Sequence, residues 1–505
     1  MTAAGTVRSP LEAGLVGWFL GRPPTSARLP VGVLTKQEKA AELQRLQARK
    51  AMDAAYETEL ILGLAEDTPD TLDPSPDHPG ARKGSWAPDT QPPGVSQFFP
   101  AELAVVLNIG RGAASHLAHR AWIYRESLPA TWAAMADGTL DEGRAKVLAD
   151  VLQHTSPDIA RQIESRLLPD ATEMSRARLH ARALELLLAL DAEAIDARRK
   201  DARRHADVRS HPSHLEGMAT LAAELPADEA AESYDLIDRL ARMAKADGDP
   251  RPIGQIRAEV FSLLLRRPAG HGLPAVQAHV TVTAALDALE GGSATAGSVG
   301  GFPITAAHVC DLLRRIGALG LQTPEGGSLT LALTDANGRL LATATPEQLQ
   351  RLARRGCAAH GDGCGCTVLG RPAPTDAYTP TGAQDLFLTT RDRGCRMPNC
   401  GQRVGWTDRD HVVPHAAGGA TDCANLCCLC RSHHRLKTLA PGWRFVMEDD
   451  GTLHVTTPSG VTRTTRPPGM RARPPEPPEP PEPAEPPQPE STPAGSTSDD
   501  DPPPF

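Results

Sequence analysis

Two pairs of metal-ligand side chains near the C-terminal end constrain this chain more than any other feature. Cys395 and Cys400 form a C-x4-C pair, and Cys430 and His433 form a C-x2-H pair thirty residues later. That spacing offers four soft or borderline ligands to one tetrahedral structural Zn2+. A segment stapled this way folds as a small module whose core the metal completes. Cys427 and Cys428 lie beside Cys430 and compete for its place, but C-x2-H spacing favours Cys430 because it sets both ligands on one helical turn. Cys423, Cys427 and Cys428 are then expected as packing thiols, which behave as small hydrophobes. A second set of groups lies between and beside the ligands: Asp410 and His411 end a predicted strand, Asn425 opens a predicted helix, and His434 follows the last ligand directly. A structural zinc ribbon or binding finger carries the same cysteine pattern, so any chemistry rests on this second set.

The order Asp-His, Asn, His over residues 410–434, with Gly418, Gly419 and Lys437 around it, resembles the HNH endonuclease signature. The resemblance implies a ββα-metal fold in which two short strands and one helix grip a catalytic divalent cation. A hard carboxylate at Asp410 and an imidazole at His434 suit Mg2+ or Mn2+ held against a phosphate oxygen. His411 is the general base for the attacking water, since a neutral imidazole takes a proton near neutral pH. Asn425, on the same resemblance, either orients the His411 ring or joins the metal shell. DNA as the substrate is an implication of the resemblance, because RNA offers the same phosphate chemistry. Arg409, Arg431, Arg435 and Lys437 are the candidate phosphate contacts.

The charge distribution fits such a partner better than the total does. The 505 residues carry a formal net charge of -9, which argues against a protein that coats nucleic acid along its whole length. Residues 391–446, however, hold nine Arg or Lys against four Asp, whereas the segment from 467 holds eight acids against two Arg. The cysteines have ligand-like rather than framework spacing, which suits a reducing compartment. The apolar patch at 15–20 is too short for a signal peptide or a membrane span. A cytoplasmic protein without membrane contact is expected.

Along the chain, residues 1–34 form a poorly defined leader. Thr35 and Glu38 make a capping-box signature before a long helix-forming run to Leu64. Residues 67–100 turn to Pro, Asp, Gly and Ser and read as a loop or linker. Residues 102–124 read as a helix-turn-helix that offers Ser115, His116, His119 and Arg120 to a groove, or as an ordinary hairpin of a bundle. Helical periodicity continues to about Leu190, and Arg198, Arg199, Lys200, Arg203 and Arg204 make a basic run. Asp228 to Ala246 reads as a helix with Tyr234, Ile237 and Leu240 inward, and Asn337-Gly338 is the strongest hairpin signal. Segments such as ELAVVLNI, LPATWAAMADGTL and GGSLTLALTDANGRLL, in this order and ahead of the zinc pattern, resemble the bacterial family of a domain of unknown function, DUF222.

The expected architecture is thus α+β and multidomain: a mainly helical region with a few strands at 35–345, a Cys/Gly-rich connector at 346–383, a zinc-stapled ββα-metal module with a C-terminal hairpin at 384–466, and a disordered acidic Pro-rich tail at 467–505. Cys357, His360, Cys364 and Cys366 in the connector are candidates for a second metal site. The expected activity is metal-dependent hydrolysis of DNA phosphodiesters, with the helical region available for homo-oligomer formation. The alternative is a zinc-dependent DNA-binding or regulatory protein that uses the helix-turn-helix at 102–124 and a non-catalytic module.

Overall fold

The computed structural model describes residues 30–81, 92–192, 206–266 and 370–470, with shorter segments between 282 and 350. Most of the leader, the basic run at 198–204, the cysteines at 357–366 and the chain beyond 470 lie outside the described residues. Helix α1 (Lys36–Glu66) starts where the capping box predicts: Glu38 N donates to Thr35 Oγ1 at 3.2 Å and Thr35 N to Glu38 Oε2 at 2.7 Å. Helices α2 (Phe99–Leu107), α3 (Arg111–Glu126), α4 (Pro129–Ala136), α5 (Glu142–Leu152), α6 (Pro157–Leu167) and α7 (Arg176–Leu190) follow. Their apolar residues recur at helical spacing, as Ala145, Leu148, Ala149 and Leu152 do in α5 and Leu179, Ala183 and Leu187 in α7. These stripes meet Ile123, Leu128, Met135 and Ile163 in one core, with Ala51 and Ala55 of α1 against it. A buried carboxylate closes one helix start, where Glu164 Oε1 accepts from Thr131 N of α4 at 2.6 Å.

Helices α2 and α3 occupy the predicted helix-turn-helix, but they are bundle elements. Asn108 turns the chain between them in the left-handed region at φ 58°. Ala114, Ala118 and Ala121 of α3 pack with Phe99, Leu103 and Ala104 of α2 and Ile61 of α1. Ser115 is buried, His119 is half-buried and Arg120 lies 3.6 Å from Asp150, so of the four side chains expected in a groove His116 is the exposed one. The apolar stripe needed for the core takes the face that a recognition helix would present.

Strands β1 (Val208–Pro212) and β2 (Ala219–Ala223) form an antiparallel hairpin. Helices α8 (Ala227–Ala246) and α9 (Ile253–Arg266) follow. Asp238 of α8 and Ala241 are buried, and Arg257 reaches Asp238 at 2.5 Å. Tyr234 is exposed, contrary to expectation, and lies beneath the Arg257 guanidinium. Strands β3 (Val282–Thr283), β4 (Gly297–Val299) and β5 (Phe302–Ile304) form a small sheet, followed by α10 (Ala306–Arg315). Strands β6 (Leu331–Thr334) and β7 (Leu340–Ala344) make the predicted hairpin, with Gly338 at φ 80° where a side chain would be strained.

The C-terminal part comprises α11 (Gly382–Asp392), the antiparallel pair β8 (Thr407–His411) and β9 (Leu426–Cys430), α12 (Arg431–Leu439), and a sheet of β10 (Arg444–Met447), β11 (Leu453–Thr456) and β12 (Thr462–Thr465). Asn425 was expected to open a helix and instead ends the turn that leads into β9. The run LCCLC is buried on both faces, and small thiols between leucines suit a strand covered from two sides. Beyond the expected hairpin, β12 adds a third strand.

This part shares a core with the helical region, which the expected boundary at 384 does not foresee. Phe98, Ala101 and Val105 pack with Cys395, Met397, Val412, Leu436, Leu453 and Val455. Arg463 Nε and Nη2 donate to Val105 O and Val106 O at 3.0 and 3.1 Å, satisfying carbonyls at the end of α2. Ser459 N donates to Glu102 Oε1 at 2.9 Å. The described ends of 67–100 are likewise built in rather than a free linker, because Asp73 accepts from Ser96 Oγ and Gln97 N at 2.5 and 2.9 Å. Phe98→Ala is expected to cost about 3 kcal/mol, the scale for an aromatic removed from a packed core, and to loosen the C-terminal part. Urea unfolding followed by fluorescence of Trp443, which packs on the same core, reads this directly.

Candidate metal centre

The turn before β8 and the junction of β9 with α12 bring the two ligand pairs together. Cys430 ends β9 and is the N-cap of α12, which puts His433 in the first turn. The ligand atoms of Cys395, Cys400, Cys430 and His433 all lie within 4.8 Å of one another. Cys430 Sγ is 3.2 Å and Cys395 Sγ 3.4 Å from His433 Nδ1, and Cys400 Sγ is 4.0 Å from Cys430 Sγ. A tetrahedron with zinc-ligand bond lengths has edges of about 3.5–3.8 Å. The quartet therefore fits one zinc-sized ion. Burial works against a charged His433, but hydrogen bonds with Cys400 and Cys430 outweigh it and raise the imidazole to about 9. Such a cluster holds protons that a metal must displace, so its affinity falls in acid.

Cys423, Cys427 and Cys428 are packing thiols, as expected, with no exposed surface. Burial pushes the Cys428 thiol up to about 12 and Cys423 to about 11, and it raises Cys427 well above the ordinary value.

Beside the quartet, β8 and α12 assemble a polar cluster. Asp408 and Asp410 are two apart on β8 and share its α12 side, as strand alternation requires. His434 Nε2 lies 3.3 Å from Asp410 Oδ1, and its Nδ1 lies 2.8 Å from Asp408 Oδ2. Lys437 Nζ is 3.0 Å from Asp410 Oδ2 and donates to His411 O at 2.6 Å. The Lys437 contact with Asp410 is close but badly angled for a hydrogen bond, which leaves Asp410 Oδ2 buried with no hydrogen-bond partner among the described residues. A carboxylate oxygen without a hydrogen bond is a hard donor that a divalent cation could use.

His411, one residue on, has different neighbours. Its Nε2 is 2.8 Å from Thr421 Oγ1, Tyr378 stacks on its ring at 5.4 Å, and the His415 ring stands edge-on at 5.5 Å. Burial, then the nearby His415, lower its pKa against the opposing pull of Asp410. Asn425 does not touch the His411 ring: its Oδ1 accepts from Val413 N at 2.8 Å, and its Nδ2 donates to Val413 O and Ala420 O at 3.0 and 2.9 Å. It pins the loop after β8. Gly419 passes so close to the Val413 carbonyl and the Asn425 amide that a Cβ has no room.

Much of the basic charge expected to face phosphate is committed internally. Arg391 and Arg396 are buried around Asp392, at 2.7 and 2.9 Å from its Oδ1. Arg409 points to the other face of β8 and pairs with Asp385 at 2.6 Å. Arg435 donates to Gly80 O and Gln97 Oε1 at 2.6 and 3.0 Å, and Lys437 is covered beside Asp410. Arg431 is the exposed one of the four candidates, with its guanidinium 3.5 Å from Asp408. Sequence reasoning missed Asp408, Tyr378, His415 and Thr421. The alternation in TDRDH signalled Asp408, whereas the other three reach the site through loop geometry that no local pattern encodes.

Among the described residues no helix is long and apolar enough to cross a membrane. A family model described as a domain of unknown function, DUF222, matches residues 40–332. The uncharacterized protein Rv3776 of Mycobacterium tuberculosis is 46% identical over 90 residues, which are 18% of this chain and 17% of that protein. The uncharacterized protein Rv2100 of the same organism is 43% identical over 90 residues, 18% of this chain and 16% of that protein. The match thus spans less than a fifth of the length of these relatives. No solved structure matches the chain.

Cys395→Ser is expected to remove the metal and, with it, the order of the β9–α12 junction, because binding and folding are coupled in so small a core. Zinc content by atomic absorption and proteolysis of the C-terminal part check both; unchanged zinc and unchanged resistance would refute the quartet.

Proposed function

We propose that this chain, which belongs to the DUF222 family, is a metal-dependent endonuclease that hydrolyses DNA phosphodiester bonds through an HNH-like C-terminal module. The observation that carries the reading is the approach of His434 Nε2 to Asp410 Oδ1 at 3.3 Å beside a buried carboxylate oxygen with no hydrogen-bond partner. Two strands followed by a helix, β8, β9 and α12, hold these groups, as the ββα-metal arrangement requires. A divalent ion there, Mg2+ or Mn2+, would polarise the phosphate and stabilise the leaving oxygen.

The protein's own residues do the rest. Asp410 and His434 would hold the ion, and His411 would take the proton of the attacking water. Because burial and His415 hold the pKa of His411 down, its imidazole is neutral, and so a competent base, at neutral pH. Asn425 acts through the backbone, keeping the loop between Val413 and Ala420 closed against the strand end. Zn2+ in the Cys395, Cys400, Cys430 and His433 quartet is structural. Arg431 is the candidate phosphate contact with a solvent-facing guanidinium.

A metal-stapled binding module is the second reading, favoured by Lys437, whose ammonium 3.0 Å from Asp410 Oδ2 already supplies that carboxylate with a cation. Incubating the full chain with supercoiled plasmid and Mg2+ or Mn2+ separates the two. Nicking is expected, abolished by EDTA and reduced by about 10²–10⁴-fold in His411→Ala, the range for loss of a general base, with zinc content unchanged. A folded, zinc-loaded protein that cuts nothing would leave the binding module as the conclusion. The pH profile adds a second check. A base whose pKa is lowered stays competent as pH falls past the ordinary imidazole range, so cleavage is expected to decline only below it.

A further inference from the structure

Asp408 has no task in the mechanism above, yet it makes the shortest contact to His434. We propose that Asp408 is a positioning residue: its carboxylate fixes the neutral His434 ring with the proton on Nδ1 and so aims the Nε2 lone pair at Asp410 and at a divalent cation bound between them. This deepens the metal-dependent reading of the same site and rests on it.

The geometry leaves little freedom. In a neutral imidazole one nitrogen donates and the other accepts, whereas an ionised carboxylate only accepts. The 2.8 Å contact of His434 Nδ1 with Asp408 Oδ2 therefore places the ring proton on Nδ1. Nε2 then presents a lone pair to Asp410 Oδ1 at 3.3 Å. Two lone pairs facing at that distance repel unless a proton or a metal cation lies between them, and a divalent ion held there would satisfy both. The arrangement is carboxylate, imidazole, metal, in which the outer carboxylate sets ring orientation and makes the ligating nitrogen more basic.

The backbone supports the same role. Strand alternation puts Asp408 and Asp410 on one side of β8, two residues apart, and α12 lays His434 across both. Arg431, one turn earlier on α12, stands 3.5 Å from Asp408 Oδ2 and supplies opposite charge on its outer side. The carboxylate is thus held from the solvent side and directed inward at the ring.

The test is Mn2+ titration by calorimetry into the zinc-loaded full chain, with Asp410→Ala defining the site. Asp408→Ala is expected to weaken Mn2+ binding by about 10–100-fold, the range for loss of an outer-shell partner, with wild-type zinc content and melting temperature. Asp408→Asn, whose amide oxygen can still accept from Nδ1–H, is expected to fall between the two; being isosteric, it carries the test alone if Asp408→Ala fails to fold. Wild-type Mn2+ affinity in folded Asp408→Ala or Asp408→Asn would overturn the assignment. The failure of the broader reading looks different. Wild-type protein that binds no Mn2+ would overturn the catalytic site and this role with it, whereas Asp408-dependent Mn2+ binding without plasmid nicking would overturn the nuclease reading and support the positioning role.

Discussion

The C-terminal part depends on one buried anion. Asp392, at the end of α11, is fully covered and sits between the guanidinium groups of Arg391 and Arg396, with Cys428 N of β9 donating to its Oδ2 at 2.9 Å. Burial favours the neutral acid, but the two guanidinium groups and the amide outweigh it and hold the carboxyl below its ordinary range. The arginines spend their other donors on backbone: Arg391 on Cys423 O and Leu426 O, both at 2.6 Å, and Arg396 on Gly451 O and Thr465 O, both at 2.9 Å. One carboxylate thereby links α11, the start of β9, the turn before β11 and the end of β12. An apolar replacement would fill the volume but take the donors from four carbonyls, three of them in buried bonds and costly to strand. The planar guanidinium, with five donors in a fixed fork, solves that problem where lysine cannot.

This is also why charge counting misjudges the region. Nine basic residues over 391–446 suggest a phosphate-binding face, yet a sequence gives the sign of a side chain and not its partner. Arg391, Arg396, Arg409, Arg435 and Lys437 answer local acids and carbonyls. What was legible was what chemistry confines to short range. Thr35 and Glu38 cap a helix three residues apart, Asn337-Gly338 turns a hairpin, and two ligand pairs of fixed spacing converge. Asn425 was misread because the five apolar residues after it, LCCLC, fit either a strand or a helix turn, and the choice was made by packing from both sides. Phe98 against Leu453 could not be read at all, since nothing in either segment's period names a partner hundreds of residues away.

That distant packing joins the two halves of the chain. The matched DUF222 region includes α2, whose last-turn carbonyls are satisfied by Arg463 and whose Glu102 receives Ser459 N. A left-handed Asn108 meets a left-handed Asn399 side chain to side chain at 3.0 Å. These contacts combine apolar burial with directional hydrogen bonds, so the interface is specified as well as stabilised. Helix α2, the first helix of the predicted helix-turn-helix, is thereby the floor of the C-terminal part. The helical region is thus packed against the part that carries the candidate site.

The Cys/His quartet and the proposed catalytic cluster are coupled through a single peptide segment. Cys430 is the last residue of β9 and the N-cap of α12, His433 lies in the first turn, and His434 is next in the chain. Whatever fixes Cys430 and His433 therefore fixes the azimuth of α12 and the direction in which His434 leaves it. A soft thiolate-rich quartet prefers zinc, while the oxygen and nitrogen groups of Asp410 and His434 prefer harder ions, so the two sites need not compete for one metal. In the proposed reading the zinc takes no part in hydrolysis, yet it holds the imidazole of His434 within reach of Asp410. Since β8 carries Asp408 and Asp410 on one side and ends in His411, the register of β8 against β9, with Asp410 opposite Cys427 and His411 opposite Leu426, sets the other half of the site. A slip of one residue would turn both carboxylates away from α12. The buried thiols of β9 resist that slip, because they fit only where they already are.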